Sequence, residues 1–139
     1  MESVVKDSVP TFGYELIRDH VLSTILGKHE SDVLYWAGKD LARKFPLYSM
    51  EEAVVFFTEA GWGELELVKQ TKDEMTYTLK EAAVPLQIEQ RSFRLEAGFL
   101  AAQKQRNIGF LTECFEEKNN KQKTVSFKIK SDLKEPMDK

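Results

Sequence analysis

The stretch Ala37-Gly38-Lys39-Asp40-Leu41-Ala42 has a second copy of its pattern at Ala97-Gly98-Phe99-Leu100-Ala101-Ala102, and both copies of Ala-Gly-x-x-x-Ala lie within helical patterns. A glycine inside a helix costs about 1 kcal/mol relative to alanine. Within each copy the glycine and the last alanine lie four residues apart, so they share one helix face. Another backbone can approach such a smooth face more closely than it can approach leucine or isoleucine. The repeated pattern therefore predicts two helices in close contact with another helix, a sheet or a bound molecule.

Composition limits the function classes that need to be considered. The chain has 139 residues, which is typical of one domain with one core. Its net charge of −3 argues against a nucleic-acid partner, because phosphate binding depends on a basic face. The sequence has no apolar run of 18 residues, so we expect no membrane span. A single cysteine, Cys114, and a start without the pattern of a signal peptide indicate a cytoplasmic protein.

Residues 1–139 are interpreted as one domain whose ordered part runs from about 11 to 133. We expect residues 1–10 to form a loose lead-in and residues 134–139 to form a disordered tail.

The first predicted helix follows this lead-in. Ile17, Val21 and Ile25 lie on one ridge of the helix, whereas the charged residues Arg18 and Asp19 lie off it. The amphipathic pattern predicts that these three residues are buried in the core.

Three further helices are predicted from capping and terminating residues. Ser31 is the expected N-cap of the second helix, and Pro46 stops that helix. A capping box that begins at Ser49 opens the third helix, which Gly61 ends. The fourth helix covers about residues 93–107.

Two pairs of segments have the alternating pattern of strands. They cover residues 64–67 and 75–79, and later residues 110–116 and 124–129. Each pair surrounds a short polar turn, which indicates a hairpin. The sequence therefore predicts an α/β protein of the α+β type, with an antiparallel sheet of about four strands and about four helices packed on one face.

Three stretches carry a family resemblance: YWAGKDLARKFPL at residues 35–47, FFTEAGWG at 56–63 and LEAGF at 95–99. They resemble the YslB family of small uncharacterised proteins from Bacillus-like bacteria, and the similarity runs from about Phe12 to Leu133. This resemblance implies a fold and no reaction. More remotely, the order of elements is similar to the 4-vinyl reductase domain and to the Bet-type subunits of the TRAPP complex. Such relatives imply a fold that often dimerises through its helices and can enclose a small apolar ligand.

Residues that could support catalysis or metal binding are few. His20 and His29 are the two imidazoles, and neither forms a triad pattern or a zinc-ligand pattern with Cys114. Gly61 and Gly63 follow a helix, whereas a phosphate-binding loop precedes one. No catalytic residue, metal site or cofactor is predicted.

Two sets of residues are candidates for a functional role. The first set consists of the two glycines and residues expected near them. Either tight packing, which we favour, or the lining of an apolar pocket would explain why both positions are glycine. It comprises Gly38, Ala42, Phe45, Phe57, Gly98, Phe99, Ala102 and Phe127. The second set is a candidate protein interface, because tryptophan and tyrosine are favoured as interface anchors and the basic residues could meet an acidic partner. It comprises Tyr35, Trp36, Lys39 and Arg43.

These observations predict a non-enzymatic interaction or adaptor domain that acts as a homodimer and that could also bind another protein. The alternative is a domain that binds a small hydrophobic molecule. An enzyme of unknown class is the third hypothesis. An exposed apolar patch would favour the first hypothesis, an enclosed cavity the second, and converging titratable groups the third.

Overall fold

The computed structural model describes residues 11–81 and 85–137. We call residues 11–29 the N-terminal segment. The regular helices that follow it are α1 (Glu30–Lys44), α2 (Glu51–Glu59) and α3 (Arg94–Ile108). The strands are β1 (Glu64–Gln70), β2 (Glu74–Lys80), β3 (Phe110–Asn119) and β4 (Thr124–Pro136). The predicted lead-in, residues 1–10, lies outside the described residues.

The N-terminal segment is the main departure from the predicted helices. It passes through an α-helical turn at 11–15, a π-helical stretch at Leu16–Val21, a short α-helical stretch at Leu22–Leu26 and a 3₁₀ turn at Gly27–His29. The described part of the chain therefore contains three regular helices, and the prediction of four is wrong. A π-helical turn is wider than an α-helical turn, and within this one the consecutive residues Arg18 and Asp19 both bring their charged side chains against the body of the protein.

The caps of α1 and α2 also differ from those predicted. Helix α1 begins one residue before Ser31, and no side chain caps it. The side chain of Glu52 accepts a hydrogen bond from the backbone N–H of Tyr48 at 3.1 Å, so half of the predicted capping box forms with a shifted partner. The end of α2 agrees with the prediction that Gly61 closes this helix, because the helix ends at Glu59 and Gly61 has a φ of 75°. Beyond this glycine, Trp62 folds back on Phe57 with ring centroids 4.9 Å apart.

The four strands form one antiparallel sheet in the order β1-β2-β4-β3, which confirms the two predicted hairpins. Alternate residues of the strands face the helices and are buried. They include Leu65, Met75, Tyr77, Leu79, Cys114, Val125, Phe127 and Ile129. Strand β4 continues to Pro136, which pairs with Phe110, so residues 134–136 are not part of a disordered tail.

The helices cover one face of the sheet in two layers. Helix α3 lies against β3 and β4, and α2 lies against β1. Helix α1 packs mainly on α3, on the side away from the sheet. An aromatic cluster fills the space between α2, α3 and the sheet, with Phe56 stacked on Phe99 at 4.5 Å between centroids. The core therefore lies between the sheet and the inner helix layer.

The two copies of the Ala-Gly-x-x-x-Ala pattern pack against each other. A Cβ atom on Gly38 would overlap the carbonyl oxygen of Leu95 and lie 2.8 Å from the backbone nitrogen of Phe99. A Cβ atom on Gly98 would overlap the carbonyl oxygen of Tyr35 and lie 2.9 Å from its carbonyl carbon. The contact is therefore reciprocal and joins backbone to backbone, which requires glycine at both positions.

Replacing either Gly38 or Gly98 by alanine is expected to lower the free energy of unfolding by about 1 to 3 kcal/mol, because the added methyl group meets backbone atoms that move only with their whole helix. Urea unfolding followed by circular dichroism measures this loss. Gly13→Ala is the matched control, because Gly13 is helical and a Cβ atom added there would meet no atom of another element within 4 Å. Equal stability of all three variants would contradict the close-contact interpretation.

Candidate functional site

The N-terminal segment is oriented with its charged residues inward. Arg18 is 3% exposed, and the Asp19 side chain is equally well covered. The ridge residues Ile17 and Ile25 are 55% and 70% exposed. The prediction that this ridge is buried is therefore wrong.

Arg18 attaches the segment to the start of α3. Its Nη2 atom donates hydrogen bonds to Glu96 Oε1 at 2.6 Å and to the carbonyl oxygen of Ser92 at 2.9 Å. Its Nη1 atom donates to the hydroxyl oxygen of Tyr14 at 2.5 Å. Burial by itself lowers the pKa of the Arg18 guanidinium, but the carboxylate of Glu96 raises it, and the net result is a raised pKa. Arg18 therefore carries its charge inside the protein.

A second buried ion pair lies beside the first. The Nε and Nη2 atoms of Arg91 donate hydrogen bonds to the two carboxylate oxygens of Asp19 at 2.7 and 2.9 Å. The Tyr14 ring lies 5.0 Å from the Arg91 guanidinium and 5.9 Å from that of Arg18. Buried pairs of this kind are expensive to desolvate, so their clearest effect is to specify one arrangement of the groups that they join.

The face of the segment that points away from these ion pairs is apolar and exposed. We call it the apolar ridge, and it consists of Phe12, Leu16, Ile17, Val21 and Ile25. Between residues 12 and 25, the other exposed residues are Gly13, His20 and Thr24, so no Asp, Glu, Lys or Arg interrupts this face. Exposed apolar faces of this kind are common on surfaces that bind proteins, membranes or ligands.

The four residues predicted as an interface lie in two different environments. Trp36 is 62% exposed on the outer face of α1, and Arg43 is exposed and pairs with Asp40 at 3.0 Å. Tyr35 and Lys39 instead contact strand β3. Lys39 Nζ lies 3.4 Å from Glu113 Oε1.

Tyr35 joins α1 to the edge of the sheet. Its hydroxyl group donates to Glu113 and accepts a hydrogen bond from the backbone N–H of Cys114 at 3.1 Å. The cationic groups of Arg94 and Lys39 lie 4.0 and 4.7 Å from the centroid of its ring. Burial and the hydrogen bond to Glu113 raise the pKa of Tyr35 well above its usual range. Tyr35 therefore stays protonated and links α1 to β3 through two hydrogen bonds.

The apolar candidates lie in and around the core. Gly38, Ala42, Phe57, Gly98, Phe99 and Phe127 are buried, Ala102 is partly buried, and Phe45 is 52% exposed. Three surface grooves lie within the described residues, and none of these eight residues lines them.

The largest of those grooves is about 540 Å³ in volume and lies where β3 and β4 extend beyond β2. Its apolar lining comes from Leu111, Phe115 and Leu133.

The histidines and the cysteine are separated in the structure. His20 is exposed on the face of the apolar ridge, and His29 is exposed just before α1. Cys114 is buried, and burial raises the pKa of its thiol well above the usual value, which disfavours a nucleophilic thiolate. Within residues 11–81 and 85–137, no group of three or more metal-binding side chains occurs, and no helix is long and apolar enough to cross a membrane.

Sequence reasoning missed the buried ion pairs, although part of their signal was present. Tyr14 and Arg18 lie four residues apart and share a helix face that does not belong to the apolar ridge. Their partners Arg91 and Glu96 are more than 70 residues away in the chain, and no local pattern connects them.

Comparisons with known proteins agree with this architecture. A family model described as a protein of unknown function (DUF2507) matches residues 11–130. The uncharacterized protein YslB of Bacillus subtilis (strain 168) is 41% identical over 129 residues, which cover 91% of this chain and 87% of that protein. These matches confirm the family resemblance found in the sequence.

Two solved structures are similar to the chain. A vinyl-4-reductase family protein from Methanocaldococcus jannaschii has a TM-score of 0.59 and 17% identity, and the match covers 71% of this chain and 68% of that one. A trafficking protein particle complex subunit 3 from Naegleria fowleri, covalently bound to palmitic acid, has a TM-score of 0.49 and 12% identity, with 97% and 99% covered. The first similarity supports the fold alone. On the family match and the Bacillus relative, the chain belongs to the DUF2507 family of proteins of unknown function.

Proposed function

We propose that the protein is a non-enzymatic interaction or adaptor domain that acts as a homodimer, and that the apolar ridge forms the contact between the two copies. The exposed and uncharged ridge is the observation that carries this proposal. The free thiol of Cys114 favours a reducing compartment, and we place the protein in the cytoplasm.

The chemistry of the ridge favours a second copy of the chain as the partner. Most oligomers of identical chains are dimers with two-fold symmetry, in which one surface packs on the same surface of the other copy. A surface with charges of one sign repels itself in such a pair. The apolar ridge has no charged residue, and its side chains form two rows with a spacing of four residues, 12 and 16 in one and 17, 21 and 25 in the other, so two ridges can pack side by side.

The buried ion pairs keep the ridge available for this contact. If the segment turned to bury its ridge, Arg18 and Asp19 would leave Glu96 and Arg91. Each charge left behind would be buried without its partner, which costs several kcal/mol. The isolated chain therefore keeps the ridge outward, although burial of the ridge would itself be favourable.

The outer face of α1 is a second part of the proposed interface. Trp36 and Val33 are three residues apart on this face, and both are exposed. A large exposed tryptophan is the type of residue that most often anchors a protein interface.

A second candidate function is the binding of a small hydrophobic molecule. The groove at the end of β3 and β4 favours it, because Leu111, Phe115 and Leu133 form an apolar lining. Native mass spectrometry of the purified protein separates the two functions. A dimer mass without added mass supports the homodimer, whereas a constant extra mass per chain that is lost on denaturation supports the ligand.

Ile17→Lys is expected to raise the dimer dissociation constant at least about 100-fold, because the variant places an unpaired charge in the middle of the contact. Sedimentation equilibrium measures this constant. Val55→Lys is the control, because Val55 is also helical and its exposure of 56% matches the 55% of Ile17. The same dissociation constant for Ile17→Lys and for the unchanged protein would move the interface away from the ridge.

Trp36→Ala is expected to weaken the dimer about tenfold or more, which is the usual effect of removing an interface anchor. Phe115→Ala is the control, since Phe115 is an aromatic residue with 60% exposure on strand β3. If both variants dimerise as tightly as the unchanged protein, Trp36 lies outside the interface.

Arg18→Leu is expected to lower the free energy of unfolding by about 3 to 5 kcal/mol, because it leaves the Glu96 carboxylate buried without its partner. The double variant Arg18→Leu/Glu96→Leu is expected to recover much of this loss. Arg43→Leu is the control, because its ion pair with Asp40 is exposed and contributes at most about 1 kcal/mol. Urea unfolding at one fixed protein concentration provides the comparison. Similar losses for Arg18→Leu and Arg43→Leu would show that the buried pair does not hold the segment.

A further inference from the structure

His20 is the one titratable residue on the exposed face between residues 12 and 25. It follows Leu16 by four residues and lies next to Val21 in the chain. Its position in the π-helical stretch puts it near the middle of the N-terminal segment. A contact that covers the apolar ridge therefore also covers His20.

The charged and polar groups that bond to the N-terminal segment do so at residues that do not belong to the apolar ridge. Arg91 and Glu96 come from the loop before α3 and from α3 itself, and they pair with Asp19 and Arg18. Glu30, at the start of α1, accepts a hydrogen bond from Ser23. Gln87 donates to the carboxylate of Glu15. Within residues 11–81 and 85–137, these interactions use other residues of the segment, and His20 takes part in none of them.

We infer that His20 makes the homodimer dependent on pH, so that protonation of His20 separates the two copies. This inference rests on the proposed dimer. Histidine is the side chain that ordinarily gains a positive charge as the pH falls from 8 to 5. On association, the partner's apolar side chains replace the water around the imidazole, and no carboxylate of the ridge compensates its charge.

The direction of the effect follows from proton linkage. Covering the imidazole with apolar side chains disfavours its charged form, so the dimer binds fewer protons than two separate chains. A fall in pH then favours the separate chains. Because the symmetric contact contains two copies of His20, the effect of each imidazole on the dissociation constant is multiplied by that of the other.

The test measures the dimer dissociation constant of the full chain at pH 7.5 and at pH 5.5, by sedimentation equilibrium at one salt concentration. The expected constant is about 100-fold larger at pH 5.5, because a contact that admits only the neutral imidazole is weakened about tenfold per histidine over this interval and contains two of them. Circular dichroism at both pH values checks that the chain remains folded.

Two variants assign the effect to one residue. In His20→Gln the ratio between the two dissociation constants is expected to fall to about one. His29→Gln is the matched control, because it removes the other histidine, which is exposed but lies outside the apolar ridge, and it is expected to keep the ratio near 100.

Two outcomes overturn the inference alone. In both, Ile17→Lys weakens the dimer as expected. In the first, the dissociation constants of the wild-type protein at pH 5.5 and pH 7.5 differ by less than about threefold, and in the second, a ratio near 100 persists in His20→Gln. If Ile17→Lys leaves the dimer unchanged, or if no dimer forms at pH 7.5, the proposed homodimer contact fails, and the inference fails with it.

Discussion

The close contact between the backbones of α1 and α3, which Gly38 and Gly98 allow, is the constraint on which the arrangement of the helices depends. Because each glycine lies against the backbone of the other helix, α1 sits closer to α3 than side chains would allow. This short distance lets Tyr35 reach past α3 to the sheet, where its hydroxyl group meets strand β3. The position of α1 also fixes where the N-terminal segment ends, since α1 follows that segment directly. The same contact therefore sets both the outer helix layer and the starting point of the proposed interaction surface.

Charge, rather than hydrophobicity, decides the orientation of the N-terminal segment. Arg18 and Asp19 are next to each other in the chain, and both find buried partners of opposite charge. Three buried polar atoms of this cluster have no hydrogen-bond partner among the described residues. They are Arg18 Nε, Arg91 Nη1 and Glu96 Oε2. Such a cluster contributes less to stability than a well-packed apolar contact would, but it strongly disfavours any arrangement that separates its members. The exposed apolar ridge is therefore a consequence of the buried charges on the opposite face.

Sequence patterns predicted the parts of the fold that local physics determines. The alternation in 64–67 and 75–79 located the first hairpin, and Gly61 located the turn that brings Trp62 onto Phe57. The first helix was misjudged because a 3.6-residue period shows that one face differs from the other, and the apolar face is then assumed to point inward. The actual direction depends on Arg91 and Glu96, which are distant in the chain and lie in or near a segment without a clear pattern. The interface candidates divide for a similar reason, because the contact of Tyr35 with Glu113 joins residues 78 positions apart.

Both edges of the sheet carry features that disfavour pairing with another strand. On β3, the outward backbone N–H groups of Thr112 and Cys114 are occupied by side chains, namely Gln105 Oε1 and the Tyr35 hydroxyl, each at 3.1 Å. On β1, at the other edge, the pairing register shifts between Leu67 and Lys69. Side-chain plugs, bulges and charged residues are the features that prevent one sheet edge from pairing with another. Strand addition is therefore disfavoured at both edges, so a second copy would meet this protein away from its strand edges, as it does in the proposed contact through the apolar ridge.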